Sequence, residues 1–207
     1  MKKRKSFYIT LLLCLLVLVV LNGDLYAQEV KKILSIEAYD KLNTIPDTFL
    51  IDVRTRAEYQ FIGHPHKAYL FPYYFLSKKF AKVDEKLEYQ FNEKNKDFVE
   101  EIGKMFKKTD NLLIISRDGT RSALAASELM DEGYKKIYDV MDGFEGAEFP
   151  SFEDKNRHIF YRNLAKTNKI YGFNHRRHYG WQSWGLPWTY EMDPKYIYPP
   201  DTKAPEK

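Results

Sequence analysis

The residues best suited to chemistry lie in a polar turn between two apolar patterns. Residues 111–116 read NLLIIS, a short run with β-branched side chains that is typical of a buried strand. From Arg121 onward, Leu124, Leu129 and Met130 recur at the spacing of a helix that buries one face. The pattern predicts a strand, a tight turn and a helix, in that order.

The turn is a candidate anion-binding loop with a candidate nucleophile. Its residues are Ser116, Arg117, Asp118, Gly119, Thr120, Arg121 and Ser122. A strand that ends in a glycine-containing turn before a helix directs several backbone N–H groups to one point, with the helix dipole behind them. Ser116 stands where a nucleophile would face a bound anion. The same spacing also fits a connection that binds nothing.

Other motifs favour the functional interpretation through a family resemblance. The turn resembles the active-site loop of the rhodanese-like sulfurtransferases, C-R-x-G-x-R-S, at the positions Arg117, Gly119, Arg121 and Ser122. Three further segments are similar to the family's first signature, to its G-H-I-P-G-A-x-N-I-P segment and to its closing strand and glycine turn: residues 50–59, 63–72 and 137–144. The resemblance covers residues 33–147, and several ordered motifs make it specific.

One departure from the family pattern decides which activity we expect. The sulfur-carrying cysteine of the family aligns with Ser116. A persulfide needs a thiolate, whereas the alcohol of serine stays protonated near neutral pH and cannot hold sulfane sulfur. An engineered replacement of a native cysteine would leave the same residue, although the N-terminal targeting segment argues against that origin.

The N-terminus predicts export. Residues 1–27 consist of a basic start, an apolar run over 9–21 and a small residue, Ala27, at a plausible cleavage point, which together are typical of a secretory signal peptide. In a Gram-negative source the product would be periplasmic. The alternative is a membrane anchor through residues 7–21, which are short for a span of about 20 residues. Cys14, the only cysteine of the chain, lies in this segment.

Charge gives no reason to expect a nucleic-acid partner. Loss of residues 1–27 removes four basic residues and Asp24, so the formal net charge falls from +4 to +1. Nucleic-acid binding calls for a strongly basic surface, which a near-neutral chain lacks. We expect no cofactor, and the sequence leaves the oligomeric state open.

The order of patterns predicts an α/β fold with a mainly parallel central sheet flanked by helices, the fold that the resemblance also implies. Ser35 is expected to cap a short helix, and residues 48–53 to form a buried strand. Residues 73–96 lack clean periodicity and are interpreted as a long excursion with a helical turn. The remaining expected elements are a helix over 97–108, a helix stop at Gly133 and a strand over 136–140.

Three residues outside the turn are candidates for supporting the site. In α/β sheets the site lies beyond the carboxyl ends of strands, which would place Asp52 and Arg54 near Ser116. There they would brace or charge the site, while an ion pair tying two loops together is an equal alternative for Asp52. His64 matches the histidine of the family's G-H-I-P-G-A segment and is expected to be a structural hydrogen-bonding residue.

The C-terminal part changes in composition and is expected to form an aromatic extension. All three tryptophans of the chain lie here, and the residues from Gly185 to Trp188 resemble a tail found in some exported rhodanese-like proteins. The rings are expected to pack on the domain, with a wall over the site or a partner surface as the alternative. We therefore divide the chain into a signal peptide (1–27), a rhodanese-like domain (28–147), an extension (148–200) and a disordered tail (201–207).

A metal site is not expected. His175 and His178 lie three residues apart beside two arginines, which would allow a shared helical face. No carboxylate or cysteine accompanies them at the spacing of metal ligands.

Two functional hypotheses remain. The first is a binding module that holds a small sulfur oxyanion, such as thiosulfate or sulfite, or docks the persulfide of a protein partner. Arg117 and Arg121 would supply charge, or Arg121 would point inward and brace the loop. The second is a non-standard sulfurtransferase that aligns donor and acceptor at the Ser116 loop, without the covalent intermediate. A phosphatase is disfavoured because of the loop length. Four residues separate Ser116 from Arg121, whereas related phosphatases have one residue more between the nucleophile and the arginine.

Overall fold

The computed structural model describes residues 29–83, 86–90, 93–146 and 179–203, together with positions 156, 159, 160 and 163. The predicted signal peptide and residues 164–178, with both histidines of the discounted metal site, lie outside the described residues.

A parallel sheet forms the centre of the fold. Its strands are β1 (Lys31–Ile33), β2 (Thr48–Asp52), β4 (Tyr69–Leu70), β9 (Asn111–Ile115) and β10 (Lys136–Val140). They lie in the order β1-β10-β9-β2-β4, and every neighbouring pair is parallel. Ile115 lies opposite Asp52 on one side and Val140 on the other, so three carboxyl ends meet beside Ser116. The predicted α/β fold with a mainly parallel sheet is confirmed.

Three of the helices below, α1, α3 and α4, lie where the sequence predicted them, whereas α2 was not predicted. Their bounds are α1 (Ser35–Thr44), α2 (Arg56–Phe61), α3 (Phe98–Met105) and α4 (Thr120–Asp131). Gly133 follows α4 with a φ of 90°, a left-handed conformation that ends a helix without strain in glycine alone. The expected cap of α1 is wrong by one residue. Leu34 occupies the cap position, and the Ser35 hydroxyl instead donates to Asp142, at 2.7 Å.

Residues 73–96 differ from the prediction, because their described part forms short strands instead of a helical turn. β5 (Tyr74–Phe75) pairs with β8 (Glu93–Lys94), and β6 (Phe80–Val83) pairs with β7 (Lys86–Tyr89), both antiparallel. Several side chains of this region are exposed, among them Phe80, Leu87 and Tyr89. Strands with so little buried surface need no regular alternation of apolar residues, which explains why the sequence pattern is weak.

The core is centred on β9. Leu112, Leu113, Ile114 and Ile115 are all fully buried, so side chains on both faces of the strand leave water. Each buried aliphatic side chain contributes about 1.5–3 kcal/mol relative to exposure, and the run therefore anchors the sheet. Ser116 follows directly from this fully buried run.

The described part of the C-terminal extension packs on the domain. Trp181 is only 1% exposed, and its backbone N–H donates to the carbonyl of Gly143, at 2.9 Å. β11 (Trp188–Thr189) pairs antiparallel with β3 (His64–Pro65). The disorder expected from Asp201 onward does not hold for its first residues. Pro199–Thr202 form a 3-10 helix, and Asp201 accepts two hydrogen bonds from Arg56, each of 2.6 Å.

Candidate functional site

The turn after β9 is held by contacts that only glycine allows. Gly119 has a φ of 90°, and a Cβ atom added there would lie 2.1 Å from the carbonyl oxygen of Met141. The carbonyl of Ser116 accepts from the backbone N–H of Phe144, at 2.8 Å, and Arg117 O accepts from Glu145 N, at 2.9 Å. Close backbone approach therefore fixes the turn against the loop that follows β10.

A chain of hydrogen bonds runs from Ser116 to a buried carboxylate. Ser116 is fully buried, and its Oγ lies 3.2 Å from the Oγ of Ser122. The Ser122 hydroxyl lies 2.6 Å from Asp139 Oδ1 and 2.9 Å from the carbonyl of Gly119. Because a serine has one hydroxyl proton and the bond to a carboxylate is the stronger, Ser122 donates to Asp139. Ser122 is then an acceptor toward Ser116.

This arrangement keeps Ser116 protonated. The Ser116 hydroxyl donates to Ser122, and its oxygen accepts from the backbone N–H of Gly119, at 3.2 Å. No general base contacts Ser116 directly among the described residues. Burial raises the pKa of Asp139, which the bond from Ser122 and the charge of Lys32 oppose. Ser116 thus has the geometry of a satisfied hydroxyl and lacks an adjacent base that would activate it.

Part of the turn that was predicted to bind an anion is occupied by a carboxylate of the chain itself. The backbone N–H of Thr120 donates to Asp118 Oδ1, at 3.2 Å, and Asp118 also lies 3.7 Å from the Arg117 guanidinium. A carboxylate thus stands at the N-terminus of α4, where the helix dipole favours negative charge. The turn carries less free positive charge than its two arginines suggested.

Arg117 nevertheless offers a hydrogen-bond donor. Its Nε is buried and has no hydrogen-bond partner among the described residues. An unsatisfied buried donor costs about 1–3 kcal/mol, so an acceptor placed there is favoured. Arg117 is therefore the residue of the turn that best fits the predicted role in anion binding.

Arg121 braces the loop, which was the second of its two expected roles. Its guanidinium donates to both carboxylate oxygens of Glu58 on α2, at 2.6 and 2.8 Å. Burial alone would raise the pKa of Glu58, but the hydrogen bonds and charge of Arg121, with help from Arg54, lower it to about 2. The Glu58 carboxylate also accepts from Thr55, which fixes the start of α2. The ion pair ties the first signature to the active-site turn.

Asp52 and Arg54 form a fully buried ion pair. Arg54 donates to Asp52 through Nε and Nη2, the latter at 2.6 Å, and also to the carbonyl of Gly63, at 2.8 Å. The Arg54 guanidinium lies 4.2 Å from the centre of the Phe144 ring, and Phe144 is the residue that donates to the Ser116 carbonyl. The structural alternative for Asp52 fits this geometry better than a direct charge at the site.

His64 supports the loop and does not reach the turn. Its ring stacks on Tyr59 with centroids 3.6 Å apart, and Nδ1 lies 3.0 Å from the Tyr59 carbonyl. Burial lowers the pKa of His64, which favours the neutral ring. The geometry agrees with the expected structural role.

Two residues that the sequence analysis did not single out belong to the site. Glu58 stands three residues after Thr55, and this T-x-x-E spacing at a helix start is the pattern of a capping box, which was the available signal. Asp139 gave only the signal of a charged residue within a buried strand pattern. No cluster of three or more potential metal ligands occurs among the described residues.

Comparison with known proteins shows the family to which the domain belongs. Residues 28–148 match the family described as the rhodanese-like domain. The chain is similar to an uncharacterized RP600 homolog of Rickettsia rickettsii, with 35% identity over 119 residues that cover 56% of this chain and 85% of the relative. It is also similar to thiosulfate sulfurtransferase 18 of Arabidopsis thaliana, with 30% identity over 95 residues that cover 45% of this chain and 62% of the relative.

One solved structure resembles the chain over most of its length. The crystal structure of Rv0390 from M. tuberculosis aligns with a TM-score of 0.55 and 23% sequence identity, and the alignment covers 79% of this chain and 100% of that protein. At this level of identity the likeness concerns the fold alone.

Proposed function

Since the chain belongs to the rhodanese-like domain family, we propose that it is an exported member that lacks ordinary thiosulfate sulfurtransferase activity and binds small sulfur anions or a partner's persulfide. The observation that carries the proposal is Ser116, a fully buried hydroxyl at the position that the family resemblance assigns to the sulfur-carrying cysteine. Without a thiolate, the persulfide on which the two-step transfer depends cannot form.

The surroundings of Ser116 support the loss of nucleophilic chemistry. A serine nucleophile needs a base that removes its proton. Here the Ser116 proton points to Ser122, whose own proton is held by Asp139. The direction of these hydrogen bonds stabilises the neutral hydroxyl of Ser116. Ser116 therefore acts as a hydrogen-bonding residue and not as a nucleophile.

Binding of a sulfur anion is supported by two features of the turn. They are the N-terminus of α4, whose dipole favours negative charge, and the buried Nε of Arg117. Asp118 competes with a bound anion for the same positive potential. A persulfide carries one negative charge, whereas thiosulfate and sulfite carry up to two, so the singly charged group suits this turn better.

The alternative of a non-standard sulfurtransferase is less well supported. It requires donor and acceptor to lie side by side at the loop, whereas Ser116 is fully buried and its neighbours are in close backbone contact. Export rests on residues 1–27, and the test is the N-terminal sequence of the protein recovered from its source cells. Cleavage after Ala27 supports export, and an intact N-terminus in the cytoplasm contradicts it.

The binding role is tested by titrating the full-length protein with sulfite and thiosulfate in a calorimeter. We expect Arg117→Gln to weaken binding about tenfold or more, the value of one charge-assisted hydrogen bond, and Asp118→Asn to strengthen it. Arg56→Gln is the matched control, because it removes an exposed guanidinium that pairs with Asp201. Equal affinities for the native chain and Arg117→Gln would contradict the proposal.

A further inference from the structure

A cavity lies between the domain and the C-terminal extension, and none of its lining residues belongs to the turn 116–122. Its volume is about 500 Å³, within the range of about 300–1,000 Å³ that is usual for small-molecule sites. α1, the start of β2, the turn after β3 and the extension all contribute to its wall.

Aromatic rings form much of the wall. Tyr69 packs edge-on against Phe49 and against Tyr196 of the extension, with centroids 6.1 and 4.8 Å apart. On α1, Tyr39 packs edge-on against Trp181 of the extension, at 6.0 Å. Rings held in such pairs lose little freedom when a further planar group enters, so the wall suits a flat apolar ligand.

The charge of the wall is positive. Lys67 and Lys195 line the cavity together with His66, and the described lining residues include no aspartate or glutamate. Neither lysine has an ion-pair partner among the described residues. Lys195 lies 5.3 Å from the centre of the Tyr196 ring, so its ammonium group stands beside the aromatic wall. An anionic group on an aromatic ligand would meet uncompensated positive charge.

An uncovered sheet edge adds backbone polarity. β4 pairs with only Ile51 and Asp52 of β2, so among the described residues no strand covers this edge of β2 from Thr48 to Leu50. Those three residues line the cavity. Edge N–H and C=O groups give an entering ligand fixed hydrogen-bonding partners beside its rings.

We propose that this cavity binds a small planar aromatic carboxylate, with its rings between the aromatic side chains and its carboxylate on Lys67 and Lys195. The assignment is independent of the function proposed for the Ser116 turn. Because both the domain and the extension line the cavity, a bound ligand also stabilises the docking of the extension.

The test uses two ligands of the same shape, 2-naphthoate and the neutral 2-naphthalenemethanol, titrated into the full-length protein. We expect the double variant Lys67→Gln, Lys195→Gln to weaken naphthoate binding about tenfold or more and to leave alcohol binding unchanged. The matched control is Lys31→Gln, Lys41→Gln, because both lysines face the Tyr138 ring away from the cavity. It should change neither affinity.

A second variant tests the place of binding. Leu42 lines the cavity and is partly buried, so Leu42→Trp should fill the space and abolish binding of both ligands. A thermal melt of the same sample confirms that the variant is folded. The proposal is overturned by naphthoate binding that survives both sets of substitutions, or by a native chain that binds neither ligand.

Discussion

The hydroxyl of Ser122 lies 2.6 Å from Asp139 Oδ1, and this contact sets the direction of the hydrogen bonds at the buried end of the turn. Because Ser122 donates its single hydroxyl proton in a hydrogen bond to the Asp139 carboxylate, its oxygen can only accept a hydrogen bond from residue 116. A group at position 116 is therefore held in its protonated form.

The direction of these hydrogen bonds can be tested through the pKa of a cysteine thiol placed at position 116. In Ser116→Cys, made together with Cys14→Ser, we expect the further change Asp139→Asn to lower the thiol pKa by about 1 unit. The change removes a nearby negative charge and frees Ser122 to donate to the thiolate. The rate of alkylation against pH gives the pKa. Asp131→Asn, at the exposed end of α4, removes the same charge elsewhere and should have little effect. Equal thiol pKa values with and without Asp139 would contradict the assigned direction.

The buried pair between Glu58 and Arg121 should dominate the acid stability of the domain. The folded pKa of Glu58, about 2, lies below its ordinary value of 4.5, so its stabilisation is complete above pH 4.5 and is lost as the pH falls toward 2. The shift corresponds to about 3 kcal/mol. Urea unfolding across this pH window should show the loss in the native chain and not in Glu58→Gln.

The exposed ion pair between Arg56 and Asp201 serves as a control for the buried pair at neutral pH. We expect Glu58→Gln to cost about 3–5 kcal/mol, because it leaves the charge of Arg121 buried without its partner. Asp201→Asn breaks the exposed pair with Arg56 and should cost less than about 1 kcal/mol. Similar losses in the two variants would show that Glu58 does not hold the turn.

Glycine substitutions separate the strained turn from ordinary helix. Gly119→Ala places a Cβ atom against the Met141 carbonyl in a left-handed backbone, and we expect it to cost more than about 1–2 kcal/mol. Gly103→Ala, within α3, meets only the Tyr134 hydroxyl at 3.6 Å and should stabilise the helix by about 0.5–1 kcal/mol. Thermal melts of both variants give the comparison, and a neutral Gly119→Ala would contradict the close approach of the turn.

The docking of the extension depends on Trp181. This side chain is 1% exposed, so Trp181→Ala should destabilise the protein by about 3–5 kcal/mol. Tyr190→Ala removes a ring of the same segment that is 57% exposed and should cost less than about 1 kcal/mol. Denaturation midpoints in urea measure both. An extension that contributes nothing to the fold would give two equally small effects.

Much of the fold could be predicted because its central elements carry strong local signals. The apolar run before Ser116, the helical spacing after Arg121 and the glycine at position 133 each specify one element through a period or a backbone conformation. The position of the turn followed from the order of these elements. The short strands of residues 73–96 carry no such signal, since part of their surface faces water.

The site was predicted less completely, because several of its side chains form hydrogen bonds and ion pairs with residues far away in sequence. Nothing near Arg121 indicates that it pairs with Glu58, and nothing near Ser122 indicates Asp139. The expected charge of the turn was too positive because the distant Glu58 compensates Arg121, and because the sequence did not indicate that the neighbouring Asp118 lies against Arg117. The sequence patterns of the strand and the helix predicted the position of the turn, whereas its net charge depends on contacts that form only in the folded protein.

The most direct test of the proposed function is sulfur transfer from thiosulfate to cyanide by the full-length protein with Ser116 and by its Ser116→Cys variant, both carrying Cys14→Ser. We predict no transfer above the protein-free rate for the Ser116 chain and measurable transfer for Ser116→Cys. Comparable transfer by the two chains would contradict the loss of activity. Inactivity of both would contradict the claim that the turn keeps a working anion site.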